Sequence, residues 1–393
     1  MIDILVVSQS CLTAVNRAPY RLLRERGWSI EIVVPKAFES NGFSRTADPQ
    51  GSDDPPVHEL AVRSAHPRLW RFLGLRELLG SRRPRAVILD VDPGSVLALE
   101  VGSWSRRHGA KVACISCDNL DRTISTEARR SLRDGAKLMV SRALAAAARL
   151  VVDHVFVLSS ASRRLMERLG FAGVTVMPLG FDPGLFRPDS TVRAETRKAL
   201  GLTEVTFAYF GRLTPEKGVH RLLHALAELK DRRWQLLLDE FREYRHPYAI
   251  QVRELIDALG FSDRIVFFDA RHEEMGRYMN AADIVVMPSA STETWSEQYG
   301  RVAPEAMACG RAVVVSNCGA LPEIVGTSAI VVSEGSVADL AQTLDRMYGD
   351  EALRRDLGLR AAEHAIKNHS VGVQVDRMEQ VLQQWLAKPS SVN

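Results

Sequence analysis

Cysteine is scarce in this chain. Cys11, Cys114, Cys117, Cys309 and Cys318 are an odd, scattered set among 393 residues. That usage excludes a disulfide-built scaffold and fits a reduced, cytoplasmic setting. Cys114-x-x-Cys117 stands alone without a His-Cys partner set, so no zinc site is expected. Long apolar runs are also missing. The longest candidate, Val140 to Val152, is broken by Arg142 and Arg149, well short of the roughly 18 residues that span a bilayer. Met1-Ile2-Asp3 leads straight into a strand-like run with no basic stretch before it, so no secretory signal is expected. Aromatic residues are 7% of the chain and do not interleave with basic residues as a nucleic-acid partner would require.

What is present suits a soluble protein of two domains: 46% hydrophobic and 25% charged residues, with length enough for two cores. The net charge of +3 is unevenly spread. Through Leu185 there are 26 Lys and Arg against 19 Asp and Glu; after it, 25 against 29. A basic first half suits an anionic partner such as a membrane surface or a charged acceptor. Within it, His66 to Arg85 reads HPRLWRFLGLRELLGSRRPR. This is expected to be an amphipathic helix, either half-buried in the core or lying on anionic lipid.

Short apolar runs alternate with helical stretches along the whole chain: Ile2 to Val7, Ala18 to Arg26, Ile30 to Val34, then Ala86 to Leu89, Gly94 to Arg107, Val112 to Ile115. Ala37 to Pro56 reads as loop, and Thr126 to Leu150 as one long helix or two. The alternation predicts βαβ units and doubly wound parallel sheets. Pro178, Pro183 and Pro188 with Gly180 and Gly184 mark a domain boundary, placed at 185/186. In such folds ligands sit at the carboxyl ends of strands. Asp92, Asp118 and Asn119 follow two strands, and Asn16-Arg17 follow the first, so these are candidate acceptor contacts.

The most informative stretch is Ser289 to Glu323, SASTETWSEQYGRVAPEAMACGRAVVVSNCGALPE. A buried strand, Ile284 to Met287, enters a polar loop. Tyr299-Gly300 then opens a short helix, Arg301 to Ala308, stopped by Gly310 before the next strand. The first N–H groups of that helix, near Gly300 and Arg301, form an anion seat. Glu297 and Glu305 flank it. Carboxylates beside an anion seat repel phosphate but accept hydrogen bonds from hydroxyls. Hydroxyls on both sides of a diphosphate describe a nucleotide sugar.

Glu-x7-Glu embedded in EQYGRVAPEAMACGRAVVVS resembles the signature of the retaining GT-B glycosyltransferases of family four, the glycosyl transferases group 1 type. Gly211-Arg212-Leu213-Thr214-Pro215-Glu216-Lys217-Gly218 resembles that family's phosphate clamp. The resemblance implies two Rossmann-like doubly wound domains facing a cleft: residues 1–185 on the acceptor side and 186–370 on the donor side. A closing helix within about 371–393 crosses back to the first domain. It implies catalytic roles for Arg212, Lys217 and Glu297. Donor contacts would come from Glu305, Tyr299, Gly300 and Arg301, and from Ala270 and Arg271 beside the base. The implied reaction moves a sugar from a UDP- or GDP-linked donor to a glycan, lipid-linked or small-molecule acceptor with retention. Two cations and a helix N-terminus would replace a metal, so no metal or other cofactor is expected. Neither is a nucleic-acid partner, and the expected location is the cytoplasm, with peripheral contact at the membrane's inner face as the alternative.

Two departures from the family stand out. Ser8-Gln9-Ser10-Cys11-Leu12 replaces the usual Gly-Gly loop after the first strand, and Asp239-Glu240-Phe241-Arg242-Glu243-Tyr244 replaces a Gly-x-Gly loop. A nucleotide-sugar epimerase of the same fold and a non-catalytic nucleotide-sugar sensor are the alternatives from other classes.

Overall fold

A computed structural model describes the chain except residues 41–42, 65, 124–126, 128, 241–245 and 387–393. It divides into two compact units: Met1–Pro178 with Val371–Asn393, and Leu179–Ser370. The division falls before the expected 185/186 because the Pro/Gly passage already belongs to the second unit. There the Phe181 N–H donates to the His369 carbonyl at 3.1 Å, and Phe181 and Phe186 are both buried.

The first unit is built on a seven-stranded sheet of β1 (Ile4–Val7), β2 (Ile30–Pro35), β3 (Val57–Leu60), β4 (Ala86–Leu89), β5 (Lys111–Ser116), β6 (His154–Val157) and β7 (Val174–Val176). Its order is β7-β6-β5-β4-β1-β2-β3, and every pairing is parallel. β1 and β4 are buried at every residue, as continuous apolar strands covered on both faces must be. The first unit's chain order turns back between β1 and β4. In doubly wound sheets this turning point leaves a crevice at the strands' carboxyl ends.

The second unit has a six-stranded sheet of β8 (Val205–Tyr209), β9 (Trp234–Asp239), β10 (Ile265–Phe268), β11 (Ile284–Met287), β12 (Ala312–Ser316) and β13 (Ile330–Val332). The order is β10-β9-β8-β11-β12-β13, again all parallel. Its turning point lies between β8 and β11, where the strands run out into Gly211-Arg212 and Pro288-Ser289.

The helix Val371–Trp385 belongs to the first unit. Its Val375, Met378, Val381 and Leu382 are buried in one cluster with Ile4, Val6 and Ile32 of the central strands. Arg26 clasps it through Asp376 at 2.7 Å and Glu379 at 2.8 Å.

Two expectations fail. His66 to Arg85 is not one amphipathic helix. Pro67–Leu69 is a single tight turn, Arg71–Phe72 pairs with Val62–Arg63, and only Leu75–Arg82 is α-helical. Gly74, at φ 84°, breaks the run. Trp70, Phe72, Leu75 and Leu79 are buried and feed the core, while Leu69 and Leu73 are exposed but form no continuous lipid-facing stripe. The passage Ala37 to Pro56 is not all loop, since Phe38–Ser40 pairs with Phe43–Arg45. Beyond it, β3 has a half-polar sequence, VHEL. It is the outer strand of its sheet, where alternating polarity replaces a continuous apolar run.

Candidate active site

In the second unit the loop after β8 carries Lys217 to the end of β11. Gly218 allows this. It sits at φ 77°, and a Cβ there would come within 2.2 Å of the Pro288 carbonyl oxygen. The Ala290 N–H donates to the Glu216 carbonyl at 2.8 Å, and Asp239, at the end of β9, accepts from the Gly211 N–H at 3.2 Å. Asp239 thus stands where the Gly-x-Gly loop was missing and ties the clamp loop from the other side. Residues 241–244 of that passage lie outside the described residues.

Lys217 and Glu297 meet. The ammonium lies 2.7 Å from Glu297 Oε2, and the Ser289 hydroxyl donates to the same oxygen at 3.2 Å. The Lys217 ammonium also stands 5.1 Å from the centre of the Trp295 ring, a cation–π distance. The loop holding Glu297 is fixed by Gly319, at φ 56°, where a Cβ would fall 2.1 Å from the Glu297 carbonyl oxygen. The next residue, Ala320, donates its N–H to that oxygen at 2.9 Å. Glu297 is only 6% exposed, so its carboxylate is held in a fixed place. Arg212 is exposed on the same loop as Lys217.

Glu305 lies in the helix Val302–Ala308 and is 3% exposed. Its Oε1 is 3.3 Å from His272 Nε2 and 3.5 Å from Arg301 Nε. Yet Glu305 Oε1 and His272 Nε2 are both buried without a hydrogen bond. Two unsatisfied buried polar atoms facing each other call for an explanation, and a hydroxyl able to bond both would supply one. Arg271 is exposed and Ala270 half-buried in the turn after β10; the Arg271 N–H donates to Glu274. Gly300, at φ 78°, is packed against Leu321 and Met287.

Tyr299 does not present its side chain as a donor contact. It is buried, with its hydroxyl 2.9 Å from His369 Nδ1. His369 Nε2 bonds the Ile324 carbonyl at 2.9 Å, which makes Nε2 the donor and leaves Nδ1 to accept from Tyr299. Burial holds the His369 pKa down to about 4. Burial likewise pushes the Tyr299 phenol well above its usual range. The two form a neutral structural tie.

In the first unit the carboxyl ends of β1, β4 and β5 gather a second polar set. Ser8 and Ser10 donate to Asp90 Oδ2 at 2.7 and 2.6 Å, so the serine loop that replaces Gly-Gly is tied to the neighbouring strand end. Asp92 accepts from Ser116 at 2.5 Å. Arg68 reaches Asp92 at 4.0 Å and Asp118 at 3.8 Å, and Arg122 reaches Asp118 at 3.8 Å. Burial, with Asp92 adding to it, pushes the Asp118 carboxyl above the usual range. Asn119 follows in the same loop, and Asn16 donates to the Ser10 carbonyl at 2.8 Å.

Arg17 is a correction. It is fully buried and donates to Asp54 at 2.8 Å and to the carbonyls of Cys11, Asp48 and Pro49. It folds the 48–54 loop onto the first strand's loop, with four of its five N–H groups engaged there, and its burial keeps it from reaching an acceptor.

Sequence reasoning missed Ser289, Trp295, Asp90 and His272. Pro288-Ser289 at a strand's end was a usable signal. The approach of His272 to Glu305 joins a turn after β10 to a helix after β11, and no local pattern shows it. Among the described residues there is no cluster of three or more His, Cys, Asp or Glu side chains able to hold a metal. None of their helices is long and apolar enough to cross a membrane.

Comparison with known proteins fits this geometry. The family model for glycosyl transferases group 1 matches residues 192–364. Curated relatives named D-inositol 3-phosphate glycosyltransferase are similar. That of Arthrobacter sp. is 31% identical over 59% of this chain and 52% of its own length. That of Mycobacterium sp. strain KMS is 36% identical over 49% and 43%. The matched segments thus span about half the length of these relatives. Among solved structures, sucrose-phosphate synthase from Thermosynechococcus elongatus aligns over 98% of this chain and 100% of its own. Its TM-score is 0.73 and its sequence identity 22%. Anabaena HepE in complex with UDP and glucose aligns over 98% and 100%, with TM-score 0.72 and 20% identity. The segment 192–364 belongs to the glycosyl transferases group 1 family, and the chain's two parallel-sheet units have the GT-B fold of glycosyltransferases.

Proposed function

We propose that the protein transfers a sugar from a nucleotide-diphosphate donor to a hydroxylated acceptor, retaining the anomeric configuration. The observation that carries this reading is the Lys217–Glu297 pair, 2.7 Å apart at the turning point of the second sheet, with unsatisfied Glu305 in the same unit. A cation suits the diphosphate. A fixed, buried carboxylate suits the sugar, either through its hydroxyls or through positive charge developing on the ring as the bond to phosphate breaks. Glu305 Oε1 and His272 Nε2 suit the ribose hydroxyls. Arg212 and Lys217 stabilise the charge left on the departing diphosphate, whose oxygen takes the acceptor's proton. No side-chain nucleophile is required.

The UDP-bound neighbour supports a uridine donor. The inositol-phosphate relatives, together with Ser8, Ser10, Asp90, Asp92, Asp118 and Arg68 at the first unit's strand ends, support a polyhydroxylated acceptor. Activity is expected to persist in excess chelator, since paired cations do the work a divalent ion would do. The test is UDP release from UDP-sugars with and without polyol acceptors. Acceptor-dependent release supports transfer. Conversion of the donor without an acceptor identifies an epimerase, and binding without turnover a sensor.

A further inference from the structure

A second charged site lies in the same unit at the opposite ends of the strands. The amino ends of β11 and β12, the start of the helix Ser190–Leu200 and the start of the helix Glu351–His369 enclose a cavity of about 360 Å³. Gly310, Ala312, Gly358 and Ala362 are among its lining residues. A Cβ on Gly358 would come 2.3 Å from the Gly310 carbonyl oxygen, so these two backbones touch and leave room beside them. Four guanidinium groups line the space: Arg193, Arg311, Arg354 and Arg355.

Two of the four are accounted for. Arg193 donates to the Asn280 and Ala282 carbonyls at 2.7 and 2.6 Å and to Asp283 at 2.5 Å. Arg354 donates to the Met347 and Tyr348 carbonyls at 2.5 and 2.8 Å. These are cations at the carboxyl ends of the helices Met275–Ala281 and Val337–Gly349, where backbone dipoles favour them.

The other two are left over. Asp283 is already shared among Arg193, Arg197 at 3.3 Å and the Thr206 N–H at 2.8 Å. Arg311 donates Nε to the Cys309 carbonyl at 3.0 Å. Its Nη1 has only long contacts of 3.5 and 3.3 Å to the carbonyls that Arg193 already holds. Among the described residues no carboxylate pairs with it. Burial, reinforced by Arg193, lowers the Arg311 pKa to about 10, the mark of a cation stripped of water without full compensation. Arg355 is exposed and pairs with no described residue. Of the lining carboxylates, Asp189 caps its own helix through the Val192 N–H at 2.9 Å. Glu351 stands in the first turn of its own helix, where the dipole holds an anion.

We propose that this cavity binds a small phosphate-bearing anion, with Arg311 and Arg355 as its principal ligands. Guanidinium forks match phosphate oxygens in pairs. The volume is at the lower end of small-molecule pockets, so a phosphate monoester of a small metabolite fits better than the bare ion. The site does not depend on the glycosyl-transfer reading, because β11 and β12 run between it and the Lys217–Glu297 pair.

The test is calorimetric titration of the intact chain with inorganic phosphate and with glycerol 3-phosphate. A saturable site is expected, weakened at least tenfold by Arg355→Met and unchanged by Arg212→Ala, which acts at the other strand ends. Glycerol, lacking phosphate, should give no heat. Arg311→Met should abolish binding. If circular dichroism shows that variant unfolded, the exposed Arg355→Met decides alone. Absence of saturable binding, or a site lost in Arg212→Ala and intact in Arg355→Met, overturns the proposal.

Discussion

Glu297→Gln should separate turnover from nucleotide binding in opposite directions. In the free protein Glu297 holds the ammonium of Lys217 at 2.7 Å. At an effective dielectric near 20 their gross attraction is roughly 6 kcal/mol. A donor diphosphate must compete with that carboxylate for Lys217 and also tolerate its negative charge nearby. Glutamine keeps the size and the hydrogen bonds to Lys217 and Ser289 but removes the charge. Most of the gross attraction is offset by desolvation, so the net relief to a bound diphosphate is about 1 kcal/mol, a roughly fivefold tighter Kd for UDP. Turnover should move the other way. The carboxylate's interaction with the sugar grows as positive charge develops, and losing one such transition-state contact costs on the order of 10²-fold or more in kcat. The donor KM should change less. Calorimetry with UDP, steady-state kinetics over donor concentration and circular dichroism as a folding control measure all three. Weaker UDP binding together with unchanged kcat would refute both the competition for Lys217 and the role given to Glu297.

Three further outcomes follow from the geometry. Glu305→Gln should chiefly raise the donor KM, because a ribose contact is alike in ground and transition states; steady-state kinetics shows it, and a fall in kcat alone would move Glu305 to the reacting sugar. His369 has a folded pKa of about 4 against roughly 6.5 unfolded, so the unfolded chain binds the extra proton between those values. Stability should be full above about pH 6.5 and decline toward pH 4 by up to about 3 kcal/mol, and urea melts at several pH values should show that slope flattened in His369→Gln. Arg17→Met should cost roughly 3–5 kcal/mol by leaving buried Asp54 with weaker compensation; thermal melts would register this, while a folded variant with altered acceptor KM would restore the acceptor role.

The fold was legible because parallel strands buried on both faces are written as unbroken apolar runs, as at β1 and β4, and their alternation with helices permits few topologies. The candidate donor-side residues were legible because Arg212, Lys217 and Glu297 sit in local loops whose glycines and prolines betray the turns, and Glu305 in the short helix that follows. Elsewhere local pattern misled. Arg17 looks solvent-facing at a helix start, but the partner that buries it, Asp54, lies far along the chain. Tyr299 stands beside the anion seat, but His369 claims its hydroxyl. In the stretch from His66 to Arg85 the helical spacing of leucines outweighed Gly74, which needs only one positive φ to end the helix. The first two misses are contacts between residues distant in sequence, where spacing carries no information; the third is a local signal outweighed by a stronger pattern.

The assignment of the helix Val371–Trp385 to the first unit bears on synthesis. The ribosome finishes β7 and then makes the whole second unit before this helix exists. At 5–20 residues per second that interval is roughly 10–40 s. Through it, Ile4, Val6 and Ile32 lack the Val375, Met378, Val381 and Leu382 side chains that later join their cluster. The second unit, contiguous from Leu179 to Ser370, can close first, while the unit begun earliest is completed last. Nascent chains arrested before residue 371 would therefore carry an uncovered apolar surface for chaperones, and a late frameshift would harm the amino-terminal unit, whose own strands it leaves untouched.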